Sequence, residues 1–250
     1  MIPDHFAETG LAVWRATDHP ITHFQVIGER SSGTNFTKRV LGRNTTLKPT
    51  EALGWKHSAP TAFAVPPSLA VIMCVRRADD WVRSMHAKPW HASPALQALG
   101  FSDFLRASWD TRVDRPRYFG DALLDGALGR PLQPDRDPIT GAKFANLFAL
   151  RQSKMRAMLS YARRDCTFVL LRMEQIVSQP ETTVDALLMS LSLANISTPF
   201  RPVMKRLGSK FKPAIGHRPE TPKRIEPDDM AFLRQSVDIA MEASLGYQYD

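Results

Sequence analysis

The chain has 250 residues, 43% of them apolar and 23% charged, and 33 Lys and Arg against 25 Asp and Glu give a net charge of +8 at neutral pH. That length admits one large α/β domain or two small ones, and the apolar share excludes global disorder. The basic balance points to polyanionic partners: nucleic acid, an acidic membrane surface, or sulfated or phosphorylated small molecules.

The two cysteines, Cys74 and Cys166, each sit in an apolar, strand-like run. Such runs suit buried free thiols and not a disulfide framework or a zinc site. The opening stretch MIPDHFAETGLAV has no basic region followed by a long apolar run, and no segment approaches eighteen consecutive apolar residues. The expectation is a cytoplasmic protein with neither signal peptide nor transmembrane segment.

In chain order, residues 23–28 (HFQVIG) read as a short buried strand and residues 34–42 (TNFTKRVLG) as a helix closed by Gly42. Residues 69–76 (LAVIMCVR) form the most strongly apolar run, which suits a central parallel strand covered on both faces. Residues 79–87 read as a helix with Asp79 and Asp80 near its start. An irregular insertion follows at about 88–142, richest in Pro, Gly, Asp and Arg over 110–142. Long loops of this kind serve as lids, binding segments or surface insertions. Residues 143–164 read as one long amphipathic helix, whose Arg151, Lys154, Arg156, Arg163 and Arg164 are expected on a solvated face. Residues 166–171 (CTFVLL) read as a strand, 180–193 as a helix opened by Pro180, and a basic, Pro-rich loop occupies about 205–227. The tail from residue 227 is predicted helical up to Gly246. Alternating strand and helix predict an α/β fold: a single domain with a central parallel sheet flanked by helices.

The stretch GERSSGTNF, residues 28–36, joins the first strand to the first helix. A small-residue turn opening a helix aims consecutive N–H groups at one point, and the helix dipole favours an anion there. Ser31, Ser32, Gly33, Thr34 and Asn35 supply donors and Arg30 supplies charge. Glu29 is expected to point away from the anion. Arg76 ends the apolar strand and Ser84 follows eight residues later in the next helix. Ligands of parallel sheets bind at the carboxyl ends of the strands, so Arg76 is expected to face the same crevice as the turn. A guanidinium meets phosphate oxygens in a fork, which makes Arg76 and Ser84 a fitting phosphate clamp.

Together these motifs resemble the sulfotransferases that use 3′-phosphoadenosine 5′-phosphosulfate. Ser32-Gly33-Thr34 is similar to that family's 5′-phosphosulfate turn, and Arg76 with Ser84 to its 3′-phosphate motif. Leu171-Arg172-Met173-Glu174-Gln175-Ile176 before Gln179-Pro180-Glu181, and the tail LGYQYD, resemble further family segments. The sequence departs where the family has a basic residue three before the Thr; Ser31 stands there, with Arg30 one earlier and Lys56 as the other cation for the bridging oxygen. Arg77-Ala78 replaces the family's Asn-Pro.

The resemblance implies a P-loop-like nucleotide-binding fold and transfer of a sulfuryl group to an acceptor hydroxyl, with 3′,5′-ADP as product and no metal. The absence of a Gly-Lys-Ser/Thr ending agrees with it, since no γ-phosphate needs holding. The acceptor is expected to be a small molecule or a glycan and not nucleic acid; a basic surface also suits peripheral membrane contact. His57, in Trp55-Lys56-His57, is the expected base, because its ordinary pKa of about 6.5 lets it take a proton at neutral pH. Lys56 and Arg30 would meet the leaving oxygen. Lys205, Arg206 and Lys210 are the further cations expected at the 3′-phosphate. His86, Lys88, Trp90 and His91 are expected along the acceptor site, and Glu174 as a structural anchor. A P-loop kinase of a small metabolite and a non-catalytic nucleotide or polyanion binder are the competing expectations.

Overall fold

The computed structural model describes residues 2–115, 118–119, 126–194, 199–204 and 210–249. Its strands are β1 (Leu11–Trp14), β2 (His23–Gly28), β3 (Lys48–Pro49), β4 (Leu69–Val75) and β5 (Thr167–Arg172). They form one sheet in the order β1-β5-β4-β2-β3. The pairs β2–β3, β2–β4 and β4–β5 are parallel, with Gly28 opposite Cys74 and Val75 opposite Arg172. Only β1 runs antiparallel, on the outer edge of β5. The expected α/β architecture with a mostly parallel, helix-flanked sheet is therefore present.

The unbroken apolar run of β4 follows from cover on both faces. Ala70, Ile72 and Cys74 pack with Val40, Leu41, Ile176, Val184 and Leu187, while Val71, Met73 and Val75 pack with Met155, Met158, Tyr161 and Leu245. All seven β4 residues are buried. At about 1.5–3 kcal/mol for each fully buried aliphatic side chain, burial of this strand stabilises the sheet on both faces.

The helices are α1 (Phe6–Thr9), α2 (Thr34–Asn44), α3 (Ala78–Ala87), α4 (Pro94–Gln97), α5 (Phe101–Arg106), α6 (Leu147–Leu159), α7 (Met173–Ser178), α8 (Pro180–Ser190), α9 (Pro227–Ser236) and α10 (Ile239–Ser244). No helix among the described residues is long and apolar enough to cross a membrane. Several boundaries differ from the sequence expectation. Gly42 does not end α2, which continues to Asn44, where Asn44 Nδ2 donates to the Val40 carbonyl. Residues 143–146 precede α6 instead of belonging to it; Lys143 bridges to Arg136, and the Asn146 side chain accepts from the Ala149 N–H. The tail is two helices, because Asp238 accepts from the Met241 N–H and starts α10 afresh.

The chain divides into two compact units. The first comprises Met1–Arg77, Lys154–Ser209 and Asp238–Asp250, and holds the sheet. The second comprises Ala78–Ser153 and Lys210–Val237. Within the second, Trp81 is fully buried with the Arg151 guanidinium 5.1 Å from its ring centroid. The insertion is pinned by the buried Asp135 carboxylate, which accepts from Trp109 Nε1 at 3.3 Å and Thr111 Oγ1 at 2.8 Å.

Candidate anion site at the end of the second strand

Gly28 closes β2 with φ 150°, and a Cβ there would stand 2.6 Å from the Cys74 carbonyl oxygen and 2.7 Å from Ser32 Oγ. Only glycine lets the turn leave the sheet so close to β4. The Glu29 carbonyl then accepts both the Ser32 N–H at 3.1 Å and the Ser32 hydroxyl at 2.7 Å, which closes the turn. Ser31 and Gly33 adopt left-handed backbone, φ 65° and 91°. Residues of that conformation among ordinary ones turn successive N–H groups to one side, the habit of anion-binding nests. Gly33 caps α2 and no side chain satisfies the helix start. The N–H groups of Thr34, Asn35 and Phe36 thus have no partner inside the helix, and the positive end of an eleven-residue dipole lies over them.

Because β2 and β4 run parallel and in register, residues just past their ends lie together. Arg76, one residue beyond β4, donates from Nη1 to the Ser31 carbonyl at 3.1 Å. The guanidinium and the turn therefore share one end of the sheet.

The segment 53–57 lies alongside. Buried Gln25 on β2 holds it, donating to the Gly54 carbonyl and accepting from the Leu53 N–H, both at 2.8 Å. The Gly28 N–H donates to the Lys56 carbonyl at 3.0 Å. Lys56 Nζ donates to Asn35 Oδ1 at 2.6 Å, which sets its ammonium at the first turn of α2. Burial lowers the Lys56 pKa from its ordinary range, with Glu51 opposing. Arg30 is buried, its guanidinium 5.7 Å from the Trp55 ring centroid. Lys56 thus places a cation at the head of α2.

His57 is half-buried, and its Nδ1 lies 2.6 Å from the Gly28 carbonyl oxygen. A carbonyl only accepts, so Nδ1 carries the proton and the neutral ring keeps its lone pair on Nε2. Burial holds the His57 pKa well below its ordinary value; Lys56, Arg30 and Lys154 lower it further, against the Gly28 bond. The imidazole is therefore neutral at physiological pH. Cys74, on the adjoining strand, is no nucleophile: burial pushes its thiol up to about 12.

Of the other expected residues, Ser84 lies on α3 in the second unit, half-buried. His86 is in that unit's core, edge-on to Phe101 and Phe104 and bonded through Nδ1 to Thr221 Oγ1 at 2.7 Å. His91 is buried, with Nδ1 donating to Asp114 Oδ1 at 2.6 Å. Trp90 carries the Arg115 guanidinium 4.6 Å from its centroid, and Lys88 is half-buried. Lys210 is exposed; Lys205 and Arg206 lie outside the described residues. Glu174 anchors the first unit, accepting from the Arg77 N–H at 3.0 Å and from the Tyr247 hydroxyl at 2.9 Å. No group of acidic, His and Cys side chains able to hold a metal ion occurs among the described residues.

One expectation is overturned on α6. Arg151 and Lys154 are not on a solvated face; they are 1% and 3% exposed. Lys154 Nζ donates to the His57 carbonyl at 2.7 Å. The signal was in the spacing: Lys154 stands four residues before the buried Met158 and four after the buried Leu150, on the apolar stripe. Comparison with protein-family models, with curated proteins and with solved structures finds no match to the chain.

Proposed function

We propose that the chain is a sulfotransferase that moves a sulfuryl group from 3′-phosphoadenosine 5′-phosphosulfate to an acceptor hydroxyl, most simply one on a carbohydrate. One observation supports this above the rest: the glycine-rich turn, the Arg76 guanidinium and a neutral His57 with its lone pair on Nε2 stand at the same sheet end. A kinase reading would want Gly-Lys-Ser/Thr at the end of the turn, where this chain has Gly33-Thr34-Asn35.

In this reading the α2 N–H groups and Lys56 hold the 5′-phosphosulfate, and Arg76 takes the 3′-phosphate. The acceptor oxygen attacks sulfur in line as the bond from sulfur to the bridging phosphate oxygen breaks. His57 Nε2 receives the acceptor proton, and Lys56 with the helix start meets the charge that grows on the departing oxygen. Positioning and leaving-oxygen stabilisation carry most of the rate, as in phosphoryl transfer.

Thermal melting with nucleotides tests the reading. At a hundred times its Kd, a ligand of the folded state adds about 2.7 kcal/mol, or roughly 5–10 °C for a chain this size. The expected shift comes with 3′,5′-ADP, is much smaller with ATP and 5′-AMP, and disappears in Arg76→Ala. Equal shifts with ATP, or full retention in Arg76→Ala, would remove the donor assignment.

A further inference from the structure

Five hydrogen bonds hold residues 53–57 from β2 and α6, and four come from β2: two between Gln25 and the Leu53–Gly54 backbone, the Gly28 N–H to Lys56, and His57 to the Gly28 carbonyl. The fifth comes from Lys154, more than ninety residues away in sequence. A lysine on an apolar helical stripe loses side-chain entropy and hydration, and α6 would pack as well with Leu or Met there. Its ammonium instead donates to the His57 carbonyl and lies 5.4 Å from the Trp55 ring centroid. Trp55 in turn stands edge-on to the imidazole, with ring centroids 5.3 Å apart, and also carries Arg30.

We propose that Lys154 is a positioning residue: by gripping the His57 carbonyl and seating Trp55, it keeps the imidazole on Gly28 in the tautomer that leaves Nε2 as proton acceptor. The assignment rests on the sulfotransferase reading only for what the acceptor proton belongs to; the geometry it concerns exists without substrate. The charged groups bearing on the ring are Lys56 beside it, Arg30 from the turn after β2 and Lys154 from α6. Within residues 28–36 the one carboxylate is Glu29, buried in the turn. Removing the Lys154 ammonium takes away both a tether and one of three positive charges.

The test is ¹⁵N and ¹³C NMR of His57 in the ligand-free chain, in wild type, Lys154→Met, Lys154→Gln and Lys154→Arg. Lys154→Met is expected to raise the His57 titration midpoint and to mix the two neutral tautomers. Lys154→Arg, which keeps charge and donor, is expected to restore the single Nδ1–H form. In turnover, Lys154→Met should lower kcat about tenfold while the 3′,5′-ADP Kd moves less than about twofold. A folded Lys154→Met with wild-type midpoint and tautomer would overturn the proposal. Should that variant not fold, Lys154→Gln, which keeps a polar head without the charge, carries the same comparison, and an unchanged midpoint there overturns it equally. Absence of 3′,5′-ADP binding in the wild type would instead sink the sulfotransferase reading, and the NMR result would stand by itself.

Discussion

At Gly28 a single hydrogen stands where any other residue would place carbon against the Cys74 carbonyl. Gly28→Ala is expected to cost about 2–4 kcal/mol in urea unfolding, since both the backbone conformation and the contact resist it. It should also abolish the 3′,5′-ADP shift, because the turn must move. Gly42 is the opposite case: it lies inside α2 and an added Cβ meets nothing within 4 Å. Gly42→Ala is expected to gain about 0.5–1 kcal/mol. A Gly28→Ala variant as stable as wild type would mean the turn is not held by that approach. The turn and Arg76 were readable in the sequence because small residues and a strand-ending cation are local signals. The partner of Lys154 was not: spacing marks its place on the apolar stripe, and only the tertiary fold shows which carbonyl it meets.

The elements that a sequence shows least are those begun by one side chain. Ser93 and Asp238 each accept from the N–H three residues on, and so start α4 and α10. Without Asp238, residues 227–244 read as one helix; with it, the chain turns at Val237 and begins again. Asp238→Ala is expected to lower stability by about 1 kcal/mol and to fray α10, measured by urea unfolding and by amide exchange at Met241. Unchanged exchange at Met241 would show the cap to be dispensable. The edge strand β1 was missed for a different reason: four residues, pairing on one side alone, carry too short an alternation to stand out. The strands β2, β4 and β5 were legible because burial on both faces demands a continuous apolar run, as in LAVIMCV.

Across the whole molecule, acid sensitivity follows from two histidines. Burial lowers His57 and His86 below the ordinary value of 6.5. As pH falls, the unfolded chain therefore takes up protons before the native one does. Their contribution to stability is complete above about pH 6.5 and is lost as pH drops toward the native values. Asp110 and Asp114 are held below 3.8 in the fold, so their own loss comes in a separate, more acidic window. The urea midpoint at pH 5.5 is expected below that at pH 7.5, and a His57→Gln, His86→Gln chain is expected to show a smaller drop. An equal drop in that chain would assign the acid sensitivity elsewhere. The sheet-bearing unit is assembled from three separate stretches, and Asp238–Asp250 comes after every residue of the second unit. Phe6 and Tyr161 accordingly share one apolar cluster with Leu245 and Tyr247, which the last of the three stretches contributes. Contacts of such long sequence separation raise the contact order, so the sheet-bearing unit is expected to fold more slowly than a unit built from one continuous stretch.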